Sequence, residues 1–88
     1  DIGDEFQIVV SFAERVELCL YGHGEREAKA SCILDMEKGE RGVWNQYLEG
    51  DYHGCYYDYQ IWTDGEFCRT AKGTYFRSGP TSHGVRLN

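Results

Sequence analysis

Apolar and polar residues alternate along most of this chain, in short segments separated by glycines. Alternation with a period of two places one class of residue on each face of a β-strand. Five apolar stripes follow this rule: Phe6, Ile8 and Val10; Val16, Leu18 and Leu20; Cys32, Leu34 and Met36; Trp44 with Leu48; and Cys55, Tyr57, Tyr59 and Ile61. No segment keeps a helical period over the length of a helix, so the pattern predicts strands throughout.

The segments between the stripes have the composition of turns. Residues 38–42 (Lys-Gly-Glu-Arg-Gly) and 49–54 (Glu-Gly-Asp-Tyr-His-Gly) each contain two glycines. Asp64-Gly65 is the strongest hairpin signal, because a type I′ turn needs a positive φ at both central residues. Residues 24–30 and 73–84 are interpreted as loops, the second leading into a short last strand at 85–87. These features predict one domain over residues 1–88, an all-β antiparallel sandwich of about six to seven strands.

Composition and charge narrow the possible partners. The 88 residues are 41% hydrophobic and 15% aromatic, which is too apolar for a disordered tail. Nine basic against fifteen acidic side chains leave a net charge of −6, which repels nucleic-acid backbone and anionic membrane surface. No apolar run approaches the roughly 20 residues of a membrane-spanning helix. The first five residues do not resemble a signal peptide, so a secreted form would have lost its signal or would carry it elsewhere. We expect no nucleic acid and no membrane as partners.

The hairpin at Asp64-Gly65 carries the main functional hypothesis. A two-residue turn places Trp62 opposite Phe67 and Gln60 opposite Arg69, and opposed residues point to the same side of a sheet. Ile61, which lies between Gln60 and Trp62, belongs to the longest apolar stripe and is expected to face the core. The four side chains of Trp62, Phe67, Gln60 and Arg69 are therefore expected on the outer face. Two rings beside an amide and a guanidinium can hold a sugar by its C–H surface and its hydroxyls. The same rings can instead cover the end of a thin core or pack on a neighbouring domain.

The cysteines and histidines suggest two further kinds of site. Four cysteines allow two disulfides in three connectivities, or four thiols. Cys32, Cys55 and Cys68 fall on apolar faces and Cys19 on the opposite face of its strand. This favours buried thiols, with a bridge among the three core-facing cysteines as the alternative. Cys19, His23, His53 and Cys55 also form a set that zinc accepts, but the tight Cys-x-x-Cys pair of structural zinc sites is missing, so we expect no metal.

The acidic residues do not form a recognisable catalytic pair. Glycoside hydrolysis needs two carboxylates on opposite sides of the scissile bond, and the fifteen acids here fall mostly in turns or on solvent faces. Asp58, between Tyr57 and Tyr59, is the first acid to consider for a role, and we predict an exposed strand position for it. The serines lack the sequence context of a nucleophile elbow. We therefore expect no catalytic residue and no cofactor.

Several motifs resemble a known family. Residues 6–21 (FQIVVSFAERVELCLY) are similar to the start of the β-sandwich domain that precedes the catalytic barrel in type I pullulanases, with its pattern F-x-(L/V)-W-A-P-x-A-x-x-V-x-L-x-L. Residues 36–44 (MEKGERGVW), 48–54 (LEGDYHG) and 56–59 (YYDY) resemble the G-V-W…L-x-G…H-G-x-Y-Y-x-Y stretch that follows. Residues 64–66 (DGE) and 69–71 (RTA) resemble its V-D-G-E…R-T-A-D-P-Y ending. The resemblance covers about residues 6–72.

Two stretches depart from the family pattern, and a third feature is absent. Val-Val-Ser at 9–11 stands where Trp-Ala-Pro is usual, and Lys-Gly-Thr at 72–74 stands where Asp-Pro-Tyr leads into the catalytic domain. Related glycogen-binding regulatory subunits hold glucan on a platform with a Trp just after the D-G turn. Phe67 matches that Trp and Gln60 matches a platform Lys. The second platform Trp, expected within residues 22–26, is absent.

The resemblance implies an immunoglobulin-like sandwich of the carbohydrate-binding module 48 type. Such a domain is a noncatalytic accessory part of a pullulanase-like α-1,6-glucan debranching glycoside hydrolase. It implies two partners: the catalytic domain of the parent enzyme and a weakly bound α-glucan oligosaccharide. The candidates for carbohydrate contact are Trp62, Phe67, Gln60 and Arg69. The alternative is a small secreted disulfide-bonded binding protein, effector-like or toxin-like, which would need two bridges.

Overall fold

The alternating segments of the sequence form the strands of two β-sheets. The computed structural model describes residues 2–23, 29–76 and 83–87, of which residue 23 and residues 83–87 are described by their backbone alone. The strands are β1 (Gly3–Val10), β2 (Arg15–His23), β3 (Cys32–Asp35), β4 (Glu37–Lys38), β5 (Val43–Glu49), β6 (Cys55–Thr63), β7 (Glu66–Arg69), β8 (Gly73–Thr74) and β9 (His83–Leu87). A 3₁₀ turn, Glu40–Gly42, precedes β5.

The two sheets differ in strand order and size. One has four strands in the order β4-β5-β1-β9, and the other has the order β3-β2-β6-β7 with β8 also beside β6. Neighbours pair antiparallel, except that β9 runs parallel to β1. The predicted all-β sandwich is confirmed, and seven of the strands in the described part have four or more residues. No helix there has the length and apolar character needed to cross a bilayer.

The core lies between the sheets and is built from the predicted stripes. Phe6 is at its centre, with its ring centroid 4.6 Å from that of Tyr75 and 5.8 Å from that of Tyr57. The buried apolar cluster is Phe6, Ile8, Val10, Ala13, Val16, Leu18, Leu20, Met36, Trp44, Tyr57, Tyr59, Ile61 and Tyr75. Burial of this set is the main source of stability, because the removal of apolar surface from water is the largest favourable contribution to the free energy of folding.

The predicted hairpin forms as expected. Asp64 has φ of 51° and Gly65 has φ of 76°, so both central residues adopt the left-handed conformation that a type I′ turn requires. The register pairs Thr63 with Glu66 and Trp62 with Phe67. Every side chain of the hairpin therefore lies on the face that the sequence predicts.

The interpretation of residues 73–84 as a loop is only partly correct. Gly73–Thr74 forms a short strand that pairs with Tyr56 and Tyr57, and the Tyr75 side chain is buried in the core. A Cβ at position 73 would lie 3.4 Å from the Tyr57 ring, which is an ordinary van der Waals distance, so the approach of this strand to β6 does not require glycine. The last strand begins at residue 83 rather than 85. Residues 24–28 of the other predicted loop, and residues 77–82, lie outside the described residues.

The cysteines are buried in a different pattern from the predicted one. Cys19 and Cys55 are buried, whereas Cys32 and Cys68 are exposed. Cys32 and Cys68 do occupy core-facing positions, opposite Leu20 and Ile61. They lie on β3 and β7, which are the two edge strands of their sheet. Because both cysteines are exposed, the core does not cover these edge strands.

Phe12, in the turn between β1 and β2, carries a strained backbone. Its φ is 65° and its side chain is 90% exposed. The left-handed conformation is unfavourable for a residue with a bulky side chain, whereas glycine adopts it without strain. We expect Phe12→Gly to raise the free energy of unfolding by about 0.5–1 kcal/mol, measured by urea denaturation. Phe12→Ala is the matched control: it removes the ring and keeps the strain, so an equal gain from both variants would contradict this explanation.

Candidate functional site

Trp62 and Phe67 form a pair of rings on the outer face of the five-stranded sheet. Their centroids are 5.2 Å apart and the ring planes are inclined by 50°. Phe67 is 50% exposed, and Trp62 is half-buried. The rings therefore form a shallow V rather than a flat surface, with Phe67 as the more accessible side.

Arg15, on the neighbouring strand β2, reduces the accessible surface of Trp62. The pairing of β2 with β6 places Arg15 directly opposite Trp62, and its guanidinium carbon lies 4.9 Å from the centre of the indole ring. Arg15 also forms ion pairs with Glu17 and Asp35. A guanidinium over an aromatic face is a favourable cation–π contact, so it covers one side of the indole. This cover was not predicted from the sequence.

Gln60 and Arg69 lie in the next row of the same face, as predicted. The Gln60 Nε2 group donates to the Cys19 Sγ atom at 3.1 Å, which leaves the Gln60 carbonyl oxygen as the group that can accept a hydrogen bond from a ligand. The Arg69 Nε atom lies 3.9 Å from the Asp58 Oδ2 atom, and its side chain is half exposed. The row thus presents one acceptor and one cationic donor beside the rings.

The predicted exposed position of Asp58 is wrong. Its residue exposure is only 2%, although it lies on the outer face of the sheet. The Tyr21 hydroxyl donates to it, lying 3.1 Å from each carboxylate oxygen, and the Lys72 Nζ atom lies 3.9 Å from the centre of the Tyr21 ring. Burial and the neighbouring Asp58 carboxylate raise the pKa of Tyr21 to about 12. Asp58 is therefore a buried acceptor that fixes Tyr21 and supports Arg69.

Cys19 has no properties of a nucleophile. It is fully buried between β3 and β6, and desolvation by burial raises its pKa to about 11, with a further contribution from Asp58. A reactive cysteine needs the opposite shift, because the thiolate is the nucleophile.

The sheet register separates the members of the zinc set. Cys19 points to the outer face and Cys55 to the core face, so the two sulfurs cannot share one ion. The His23 side chain lies outside the described residues. Among the described residues, no group of three His, Cys, Asp or Glu side chains has the arrangement of a metal site.

A shallow pocket of about 260 Å³ lies beside the hairpin tip. Thr63, Asp64, Glu66, Phe67 and Cys68 line it. Trp62 is not among its lining residues. Asp64 and Glu66 add two acidic side chains to its lining, and it shares only Phe67 with the pair of rings.

Comparisons with known proteins find relatives among solved structures only. No protein-family model matches the chain, and no curated protein matches it. The chain resembles part of the catalytic module of SpuA, a multi-modular glycogen-degrading pneumococcal virulence factor, at 29% identity over 74% of this chain and with a TM-score of 0.66. It also resembles a pullulanase from Bacillus acidopullulyticus at 20% identity over 85% of the chain, with a TM-score of 0.75. At 29% identity, the likeness to SpuA supports a domain related to part of a glycogen-degrading enzyme.

A third similar structure is a pullulanase from Paenibacillus barengoltzii complexed with maltotetraose, with 18% identity over 76% of this chain and a TM-score of 0.69. The likeness to the two pullulanases shows the fold alone, because both identities are low. The chain spans about 10% of the length of each of these three structures. This chain therefore corresponds to a small part of each structure that it matches.

Proposed function

We propose that this chain is a noncatalytic accessory domain of the carbohydrate-binding module 48 type, from a pullulanase-like α-1,6-glucan debranching glycoside hydrolase. It packs on the catalytic domain of that enzyme and contacts branched α-glucan weakly through Trp62, Phe67, Gln60 and Arg69. The observation that supports this most directly is the placement of the two rings and the two polar side chains on one outer face. The likeness to the glycogen-degrading enzyme SpuA supports the choice of an α-glucan.

The distribution of buried carboxylates supports a noncatalytic role. In the described part of the chain, Asp4 and Asp58 are the buried acids. Asp4 points into the core from β1, where the Tyr75 hydroxyl donates to it, whereas Asp58 lies on the outer face of the other sheet. Two carboxylates on different sheets and facing different surroundings cannot flank one glycosidic bond.

The alternative of a disulfide-bonded secreted protein is not supported by the sheet geometry. Neighbouring strands lie about 4.8 Å apart, and a disulfide needs Cα atoms within about 7 Å of each other. Cys32 on β3 is two strand spacings from Cys55 and three from Cys68. Cys55 and Cys68 are separated along the sheet, because Cys68 pairs with Ile61, six positions further along β6. Cys19 points to the opposite face, so two bridges within the chain cannot form.

Ligand titration tests the proposed site. We expect maltoheptaose to bind with millimolar affinity, because a few ring contacts barely offset the freedom lost on binding. Phe67→Ala and Trp62→Ala should each weaken binding about tenfold, with the larger loss for Phe67 because Arg15 covers part of the indole. Isothermal titration calorimetry and the tryptophan fluorescence of the Phe67 variant measure this.

The control is Phe76→Ala, which removes a ring that is 63% exposed and that follows β8, at the end of β6 away from the hairpin. It should leave the affinity unchanged. An equal loss in this variant, or no response of the wild-type chain to millimolar maltoheptaose or β-cyclodextrin, would leave only the packing role.

A further inference from the structure

The outer face of the four-stranded sheet carries another exposed ring, that of Tyr47. It lies on β5 and is 57% exposed. A Cβ at Gly3 would overlap the Tyr47 ring and hydroxyl, and would lie 2.9 Å from the ring atom Cε1. The ring therefore lies across the β1 backbone at Gly3, where the absence of a side chain leaves room for it. One side of the ring rests on the sheet, and the exposed fraction places the other side in solvent.

Polar side chains continue this surface along both strands. The register places Glu5 opposite Tyr47, Gln7 opposite Asn45, and Glu49 opposite Gly3, and opposed residues share a face. The Gln7 Nε2 group donates to the Asn45 Oδ1 atom at 2.7 Å, so the two amides hold each other in place. Residues two apart on a strand are about 6.6 Å apart, so the strip is about 13 Å long. It is long enough for more than one sugar ring.

We propose that this surface, the Tyr47 platform, binds a neutral oligosaccharide; its residues are Gly3, Glu5, Gln7, Asn45, Tyr47 and Glu49. The exposed side of the Tyr47 ring fits the C–H surface of a hexose. Glu5 and Glu49 accept hydrogen bonds from hydroxyl groups, for which carboxylates are strong acceptors.

Charge and polarity decide between possible ligands of the platform. Two carboxylates beside the ring repel phosphate, sulfate and uronate groups, since like charges in one site are destabilising. A protein partner would need an apolar centre with several large side chains, whereas the platform has one ring among polar groups, and the apolar pair in the next row of this face, Val9 and Val43, is half-buried. A chain of uncharged hydroxylated rings is the ligand that matches both features.

The Tyr47 platform and the Trp62–Phe67 surface lie on opposite sides of the sandwich. Tyr47 faces outward from the four-stranded sheet, and Trp62 and Phe67 face outward from the five-stranded sheet. The core lies between the two sheets. The proposal rests on the proposed function only for the choice of an α-glucan as the probe. Each surface can therefore succeed or fail by itself in one experiment.

The test is a titration of the ¹⁵N-labelled chain with maltoheptaose, followed by amide chemical shifts. We expect shifts at Gly3, Glu5 and Asn45 that saturate together. Tyr47→Ala should weaken this binding about tenfold, whereas Tyr47→Phe should keep it within about twofold because the ring remains. Gly3→Ala should produce a loss like that of Tyr47→Ala, since the added methyl group displaces a ring that is still present. Dispersed amide spectra establish that each variant is folded.

Four outcomes decide the proposal. Persistence of these shifts in Trp62→Ala supports it, even if the hairpin residues themselves do not respond and the proposed site at Trp62 fails. Absence of shifts at the Tyr47 platform in the wild-type chain, or unchanged shifts in Tyr47→Ala, overturns it. An oligogalacturonate of the same length, whose rings carry carboxylates, should cause no shifts there. Equal shifts with that probe would overturn the preference for a neutral ligand.

Discussion

Asp4→Ala should lower the free energy of unfolding by about 3 kcal/mol. Asp4 is 3% exposed and lies on the core-facing side of β1. Its Oδ1 atom accepts from the Tyr75 hydroxyl at 3.0 Å, and its Oδ2 atom accepts from the Tyr52 backbone N–H at 3.1 Å. Alanine leaves both donors without this acceptor at the edge of the core. A chain of this length has roughly 4–13 kcal/mol of stability in total, so the loss is a large fraction of it.

Urea denaturation of a small set of variants separates the hydrogen bonds from the change in side-chain volume. Asp4→Asn keeps one carbonyl acceptor and should lose less than the alanine variant. Tyr75→Phe removes one donor, so the double variant Asp4→Ala/Tyr75→Phe should lose less than the sum of the single losses. Glu5→Ala, the exposed neighbour on β1, should change stability by no more than about 0.5 kcal/mol. A loss below about 1 kcal/mol for Asp4→Ala would refute this role.

Local patterns predicted the strands and the hairpin, and long-range pairing explains what they missed. The stripe from Cys55 to Ile61 and the Asp64-Gly65 turn are contiguous in sequence, so their faces follow from periodicity and turn geometry alone. The short strand Gly73–Thr74 has too few residues to show a period. The parallel pairing of β9 with β1 joins the two ends of the chain, and no local signal indicates it.

The same distinction holds within the candidate site. The positions of Trp62 and Phe67 were predictable because a single tight turn sets their register. The Arg15 cover and the burial of Asp58 depend on the pairing of β2 with β6, which are separated by about half of the chain. Alternation correctly places Asp58 on the outer face but gives no information about what covers that face.

Tyr47 was missed for a related reason. In the sequence it is one residue of a polar and aromatic strand, and Gly3 is one glycine near the start of another. Only the register of β1 with β5 brings the two together. If the strand pairing had been known, the glycine on β1 beside an aromatic residue on β5 would have indicated this contact.

At alkaline pH the folded chain should lose stability steeply. Burial raises the pKa of Cys19 from 9.0 to about 11 and that of Tyr21 from 10.0 to about 12, and it also raises the pKa values of Cys55, Tyr57 and Tyr59. In each case the protonated form is favoured by the folded state, so the unfolded chain releases protons first as the pH rises. Stability is therefore complete below about pH 9 and falls as the pH rises through 9 to 12.

Each of the two groups with an assigned pKa should contribute about 2–3 kcal/mol to this loss, since one pKa unit corresponds to about 1.4 kcal/mol. Urea denaturation at a series of pH values, followed by far-UV circular dichroism, measures it. Tyr21→Phe removes the phenol that must ionise, and Cys19→Ala removes the thiol. Both variants should be less stable than the wild-type chain near neutral pH, because Tyr21 loses its bond to Asp58 and Cys19 leaves a small cavity. Their stability should nevertheless fall less steeply above pH 9, and parallel curves for the variants and the wild-type chain would show that burial of these groups does not control the alkaline transition.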